Sequence, residues 1–524
     1  MTTLLRDAIG MNIGTTRRDF LKLAGAGAVL AGFLRGGAAM AADTDTVTIA
    51  YNVNLPAFDP TVGPSAVNPT IQAIYRSIFD QYVGQKPDLS FEPGLLTEWG
   101  WNDDKTKVWM TVREGVTWHD DSKLTPEDVV WSLERAGDEK SGNPIQFVWS
   151  TIGNFTIDGQ RIEADVKSFD PTLFKWMAFL TGYVMPKAYY EKVGAEGFEQ
   201  KPIGTGPYMV DEFQSNGFLR LKAHKDYWGG KPAFETVIFK FVPDASSRVA
   251  EIESGGSDVT LQIPYEEYDR LTKGGRFSGT CEPVSDIGMI FINNVEPLLD
   301  KNVRLAACHA VDKQAIITRL LRGYGTPIDT LEAPGYAAYD PSIKVPHDPE
   351  LARKLLADSG FSTDNPVKVT IQTTRGYMPK DYEMIQAIVG MWRKVGIEAT
   401  IEVYEIAKHY ELRAADQLAP FAFYNWGNAI GDPATSTGFA MFGPSPHSVW
   451  NTDDLDARIA PLWGEKDEEK RIEGWKAVDR YIAEEGYVLP ILQYAQPIVF
   501  RKGLTVTANQ SEALQPTLIA PDKA

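Results

Sequence analysis

Cysteine and histidine are scarce in this chain, two and six among 524 residues. No cysteine pair at zinc spacing, no His-Glu-x-x-His and no Gly-x-Ser-x-Gly occurs. No two histidines stand closer than 38 positions, so a metal or cofactor site would need distant histidines to converge in space, and neither a metal nor a cofactor is expected. Positive charge is also short. Lys and Arg number 52 against 70 Asp and Glu, a net charge of −18 with no compensating basic run, which argues against nucleic acid or an anionic membrane as partner. Long apolar runs are missing too: Leu23 to Leu34 is the length of a signal-peptide core and too short to span a bilayer.

What is present begins with an address. Thr16-Arg17-Arg18-Asp19-Phe20-Leu21-Lys22 precedes that apolar stretch, and Ala39-Met40-Ala41 follows as a small-x-small cleavage site. Adjacent arginines before Phe-Leu-Lys form a nearly complete twin-arginine export signal over residues 1–41, a route used by folded cargo. Its removal takes away five basic and two acidic residues and leaves the chain near −21. No cysteine follows the apolar stretch to carry a lipid anchor. A periplasmic, monomeric protein without an integral membrane segment is expected. An oxidising compartment permits a disulfide between Cys281 and Cys308. They fall on a predicted strand and the helix after it, so the required approach is not assured, and two separate buried thiols are the alternative.

The rest of the chain mixes strands and helices. Val47 to Tyr51 and Val108 to Val112 alternate like strands, and Val237 to Val242 is a nearly continuous apolar strand. Thr125-Pro126-Glu127-Asp128 opens a helix with a hydroxyl cap, an early proline and acids against the dipole. Asp348-Pro349-Glu350 opens another, closed by Gly360. Met384, Ile385, Ile388, Val389, Trp392 and Val395 make a helical stripe stopped by Gly396, and Ile397 to Val403 alternates as a strand. The fold class is α/β. Gly204-Thr205-Gly206-Pro207 has the composition of a tight turn and lacks phosphate-cradle spacing. Trp99, Trp109, Trp118 and Trp131 read as core aromatics.

Several segments then occur in a telling order. They are Phe58-Asp59-Pro60, Glu92-Pro93-Gly94-Leu95-Leu96-Thr97-Glu98-Trp99, Val112 to Asp120 with Leu124 to Ser132, Gly204 to Tyr208, Asp226-Tyr227-Trp228-Gly229-Gly230, and Glu251 to Asp258. In this order they resemble the large extracytoplasmic solute-binding proteins of ABC importers that include dipeptide, oligopeptide and nickel receptors. The resemblance runs over almost all of the chain after the leader. It implies a two-lobed clamshell with a subdomain inserted in the first lobe: lobe 1 over 42–290, lobe 2 over 291–489, and a return to lobe 1 over 490–524. The hinge is expected at Ile290 to Asn294 and Leu489 to Tyr494. A receptor of this kind would close on a peptide or peptide-like solute and deliver it to the permease subunits of the importer, without catalysis.

The resemblance also points to Phe423 to Pro433 for the ligand. Peptide-binding relatives carry a carboxylate two or three residues after the tryptophan matched by Trp426, where it pairs with the ligand's ammonium; here that position is Ala429. Asp432 is a candidate substitute, or part of a structural Asp-Pro turn. Tyr494 is a further candidate at the return crossing, or a half-buried strand residue. Asn293 and Asn294 are candidates for bonding a ligand backbone, or ordinary turn residues. Arg375 is a candidate for a ligand carboxylate, or a solvated arginine. The missing carboxylate at Ala429 leaves an opine or oligosaccharide receptor as an alternative. A periplasmic hydrolase using the abundant carboxylates is the alternative of a different class.

Overall fold

The computed structural model describes residues 45–445 and 448–522; the leader over 1–41 lies outside them. Apolar alternation makes Thr46–Tyr51 a strand that pairs in parallel with Thr236–Phe241. Val237, Phe239 and Phe241 are buried while Ile238 and Lys240 are half-buried, so that strand buries mainly one face and is not closed in on both sides. These strands belong to an eleven-stranded sheet. Its order is Ile397–Val403, Val367–Thr373, Phe421–Gly427, Phe277–Ile292, Val488–Arg501, Val259–Leu261, Thr46–Tyr51, Thr236–Phe241, Phe218–Ala223 and Tyr208–Gln214, with Thr326–Pro327 pairing to Val488–Arg501.

Phe277–Ile292 and Val488–Arg501 join the two halves of that sheet. They hold 16 and 14 residues, far above the usual strand of about five or six. They pair antiparallel from Phe277 opposite Arg501 to Phe291 opposite Val488. At the Arg501 end Val488–Arg501 pairs with Val259–Leu261, and at the other end Phe277–Ile292 pairs with Phe421–Gly427. Register slips between Pro283, opposite Ala495, and Ile287, opposite Gln493, the irregularity by which a paired ribbon bends. The bend therefore lies several residues before Ile290 to Asn294 on the first strand and near Tyr494 on the second.

Among the described residues, the three larger of four apolar cores follow from this layout. One gathers Val47, Phe79, Tyr208, Phe239, Val259 and Phe500. A second gathers Met289, Val303, Ile371, Ile388, Trp392 and Leu489. A third packs the separate four-stranded antiparallel sheet of Leu96–Trp101, Lys107–Val112, Arg161–Val166 and Ile152–Asp158, which is the expected inserted subdomain. The helix Pro126–Gly137 lies against it, opened by a reciprocal Thr125–Asp128 capping box. The helices Pro349–Asp358 and Asp381–Arg393 form where their apolar stripes place them.

Three of the segments that carry the resemblance, Val112 to Asp120, Gly204 to Tyr208 and Asp226 to Gly230, meet in one structural knot. Added β-carbons at Gly204 and Gly206 would lie 2.0 and 2.6 Å from the Ile78 carbonyl group, so this turn needs glycine for close approach. Asp80 accepts from Thr205 Oγ1 at 2.9 Å, Tyr227 Oη at 3.0 Å and Trp228 Nε1 at 2.7 Å. Arg113 lies 4.2 Å from the Trp228 ring centre. His119 and His224 do converge, with ring centres 5.0 Å apart, but both bond the Gly206 carbonyl. Burial pushes His119 down to about 3 even though its bond to the Gly206 carbonyl works the other way, which keeps it neutral. Trp118 is buried, while Trp99, Trp109 and Trp131 are half-buried at packing edges. Cys281 and Cys308 are both free thiols.

Candidate functional site

Where the long strands bend, polar side chains collect. Asp286, Gly288 and Asn425 share one sheet face, because Gly288 stands directly opposite Asn425. Asn425 Nδ2 donates to both Asp286 carboxylate oxygens, at 3.2 and 2.9 Å. Ser285 N–H donates to the Gln510 carbonyl at 2.7 Å, which brings the C-terminal segment and Glu512 against the bend. Gln262 Nε2 donates to Glu512 at 3.3 Å, and Gln496 Nε2 to the Glu512 carbonyl at 3.3 Å. Gln262 and Glu512 both hold left-handed backbone, with φ of 52° and 65°, a conformation that costs energy in residues with side chains and collects at functional sites. Burial raises Asp286 to about 6 despite its bonds to Asn425, and burial followed by the nearby Asp286 raises Glu512 to about 8.

Tyr494 adjoins this face. It is 2% exposed, and its hydroxyl meets no hydrogen-bond partner among the described residues. A β-carbon on Gly288 would lie 3.1 Å from that hydroxyl. On the neighbouring loop Arg375 is exposed and stacks 3.8 Å from the Tyr382 ring centre. Asp381 anchors the loop: its carboxylate accepts from Thr374 Oγ1 at 2.7 Å and from the N–H groups of Gly376, Tyr377 and Met378 at 2.8, 3.1 and 3.3 Å. Tyr377, Ile406, Tyr424 and Asn425 line a shallow crevice too tight to admit a water molecule.

The other candidates sit elsewhere or carry other bonds. Trp426 is half-buried, donates to the Thr435 carbonyl at 2.8 Å and lies 5.6 Å from the Arg413 guanidinium. Asp432 is fully buried and is committed to Lys175 at 2.5 Å and to Arg471. Asn293 and Asn294 lie past the end of the long strand, where they donate to the Leu418 and Asn451 carbonyls at 3.0 Å each. Ala429 is 6% exposed, packs into the core of the inserted subdomain, and offers its carbonyl to Gln85 at 2.6 Å. Asp286, Glu512, Asn425 and Gln262 were not singled out by sequence. The one signal for Asp286 was an acid directly before the apolar run Ile287 to Ile292.

A model of the bacterial extracellular solute-binding proteins, family 5, matches residues 90–445. The chain belongs to that family. It is a solute-binding protein located outside the cytoplasm, and the hydrolase alternative falls with that assignment. The dipeptide-binding protein of Escherichia coli K12 is 27% identical over 441 residues, spanning 78% of this chain and 81% of the relative. Heme-binding protein A of Haemophilus influenzae is 25% identical over 456 residues, spanning 82% and 83%. The crystal structure of the ABC transporter substrate-binding protein CtaP from Listeria monocytogenes superposes with a TM-score of 0.81 at 18% identity, over 91% of this chain and 99% of that one. That likeness fixes the two-lobed fold of the family. Among the described residues no helix is long and apolar enough to cross a membrane, and no three His, Cys, Asp or Glu side chains group as a metal site.

Proposed function

We propose that the protein is the periplasmic receptor of an ABC importer, exported through its twin-arginine leader and acting as a monomer that hands a peptide or peptide-like solute to the permease. The observation that carries this reading is the bend shared by Phe277–Ile292 and Val488–Arg501, flanked by Asp286, Asn425 and Tyr494. Two long strands are a hinge that lets lobes rotate without losing the sheet, and a solute touching both sides stabilises the closed form. In this reading the first lobe comprises the segments up to the bend and after Ala495, the second the chain between them. Arg375 on its anchored loop meets a solute carboxylate, and Trp426 lines the wall beside it. A second reading, an opine or oligosaccharide receptor, is favoured by alanine at position 429, where the resemblance places the carboxylate that pairs with a peptide ammonium.

Calorimetry against panels of peptides, opines and oligosaccharides, with X-ray scattering of free and loaded protein, tests both readings. Binding to one panel together with a smaller radius of gyration on loading is expected. A folded protein that binds none of the three, or binds with unchanged dimensions, overturns the proposal. Replacing Trp426 by Ala should weaken binding by roughly 1–3 kcal/mol.

A further inference from the structure

Two acids stand at the bend, and the side chains that bond them are uncharged. Asp286 is 8% exposed and Glu512 is half-buried, and among the described residues neither has a basic partner. Burying charge without a counter-ion is costly, and here two acids share one neighbourhood: the Ser285 to Gln510 bond ties their segments together, and Glu512 is pushed up partly by Asp286. The Tyr494 hydroxyl, 98% buried and without a partner, stands over the same face beside Gly288. Asn425 and Gln262 supply donors, yet neither carries charge.

We propose that Asp286 and Glu512 form the cation subsite of the cleft, where an ammonium or guanidinium group of the solute docks between the two carboxylates and donates to the Tyr494 hydroxyl oxygen. This rests on the receptor reading and narrows it: the solute carries a positively charged nitrogen, and its counter-charge comes from the hinge face instead of the segment after Trp426. A cation between the carboxylates offsets their repulsion, so Glu512, protonated near pH 7 in the free protein, releases its proton when the cation arrives.

Three probes separate the sources of positive charge: Ala-Ala-Ala, N-acetyl-Ala-Lys-Ala and the uncharged N-acetyl-Ala-Ala-Ala. Calorimetry on wild type should show at least one charged probe bound at least about thirtyfold more tightly than the uncharged one, with a proton released on binding when phosphate and Tris buffers are compared. Which charged probe wins identifies an α-ammonium or a side-chain ammonium as the recognised group. The Asp286→Asn, Glu512→Gln double variant should lose both the preference and the proton release while melting no lower than wild type, because it removes a buried charge that has no counter-ion. Equal affinity of wild type for charged and uncharged probes, or a preference that survives the double substitution, overturns the proposal. If wild type binds no probe, the peptide reading falls instead. Native mass spectrometry of the protein from its own cells then decides the subsite: a retained solute with a positively charged nitrogen supports it, and one without overturns it.

Discussion

Asp432 and Arg471 face each other across two parallel contacts with both side chains fully shielded from solvent. Lys175, from the inserted subdomain, completes the arrangement at 2.5 Å. Burial by itself would raise Asp432, but Lys175 and Arg471 outweigh it and hold the carboxyl at about 2. Arg471→Met strips the buried Asp432 of its two parallel contacts and leaves it Lys175 alone, so it should cost up to roughly 3–5 kcal/mol in urea denaturation. Because the folded value lies below the unfolded one near 3.8, this contribution is complete above about pH 4 and is lost as pH falls toward 2. A variant whose deficit is the same at pH 7 and pH 2.5 would contradict that account.

Glu332 and Asp479 show the opposite case. Thr437 Oγ1 lies 3.3 Å from Glu332 and 2.6 Å from Asp479, and one hydroxyl proton cannot serve both. Burial raises Glu332 to about 7 and Asp479 well above its ordinary value. The folded protein thus keeps a proton that the unfolded chain gives up near 4.5, so stability declines as pH rises from about 4.5 to about 7. Glu332→Gln should gain roughly 2–3 kcal/mol relative to wild type between pH 4 and pH 8, measured by denaturation at each pH. No change in the difference with pH would show that the pair is ionised in the fold.

Restoring the relatives' carboxylate at position 429 should fail to restore their ligand contact. Ala429 packs with Ile430 into the core of the inserted subdomain, so Ala429→Asp buries an acid among apolar groups. The expected result is a loss of about 1–3 kcal/mol in stability with no gain in affinity for free-amine peptides. A tighter complex with those peptides, read by calorimetry, would place the side chain in the cleft after all.

Asp381 is 1% exposed and holds the Arg375 loop through bonds to a hydroxyl and three backbone N–H groups. Asp381→Ala should release the loop and weaken solute binding about tenfold, roughly 1.4 kcal/mol, with faster hydrogen exchange confined to 374–378. Arg375→Ala should weaken binding to a similar extent while leaving that exchange unchanged. Equal exchange in both variants would separate Asp381 from the loop.

Local signals carried much of the fold. The capping box at Thr125 and Asp128, the helical stripe from Met384 to Trp392 and the alternation in Ile397 to Val403 each depend on neighbours within a few residues, and each forms as the pattern requires. The proposed hinge was harder to place. Apolar content marks Ile290 to Ile292 and Leu489 to Leu492 as buried strand, but the bend depends on where two strands some two hundred residues apart slip register, at Pro283 to Ile287.

By itself the sequence determined the elements, the order of segments that marks the family, and the glycines without which the turn at Gly204 and Gly206 could not approach Ile78. Only the tertiary structure decided which polar groups meet. It consigned Asp432 to Lys175 and Arg471, sealed Ala429 in a core, and set Asp286, Glu512 and Tyr494 around one bend. Periodicity is a short-range property of the backbone, whereas the counter-charge a buried carboxylate finds is fixed by chain crossings that no local pattern encodes.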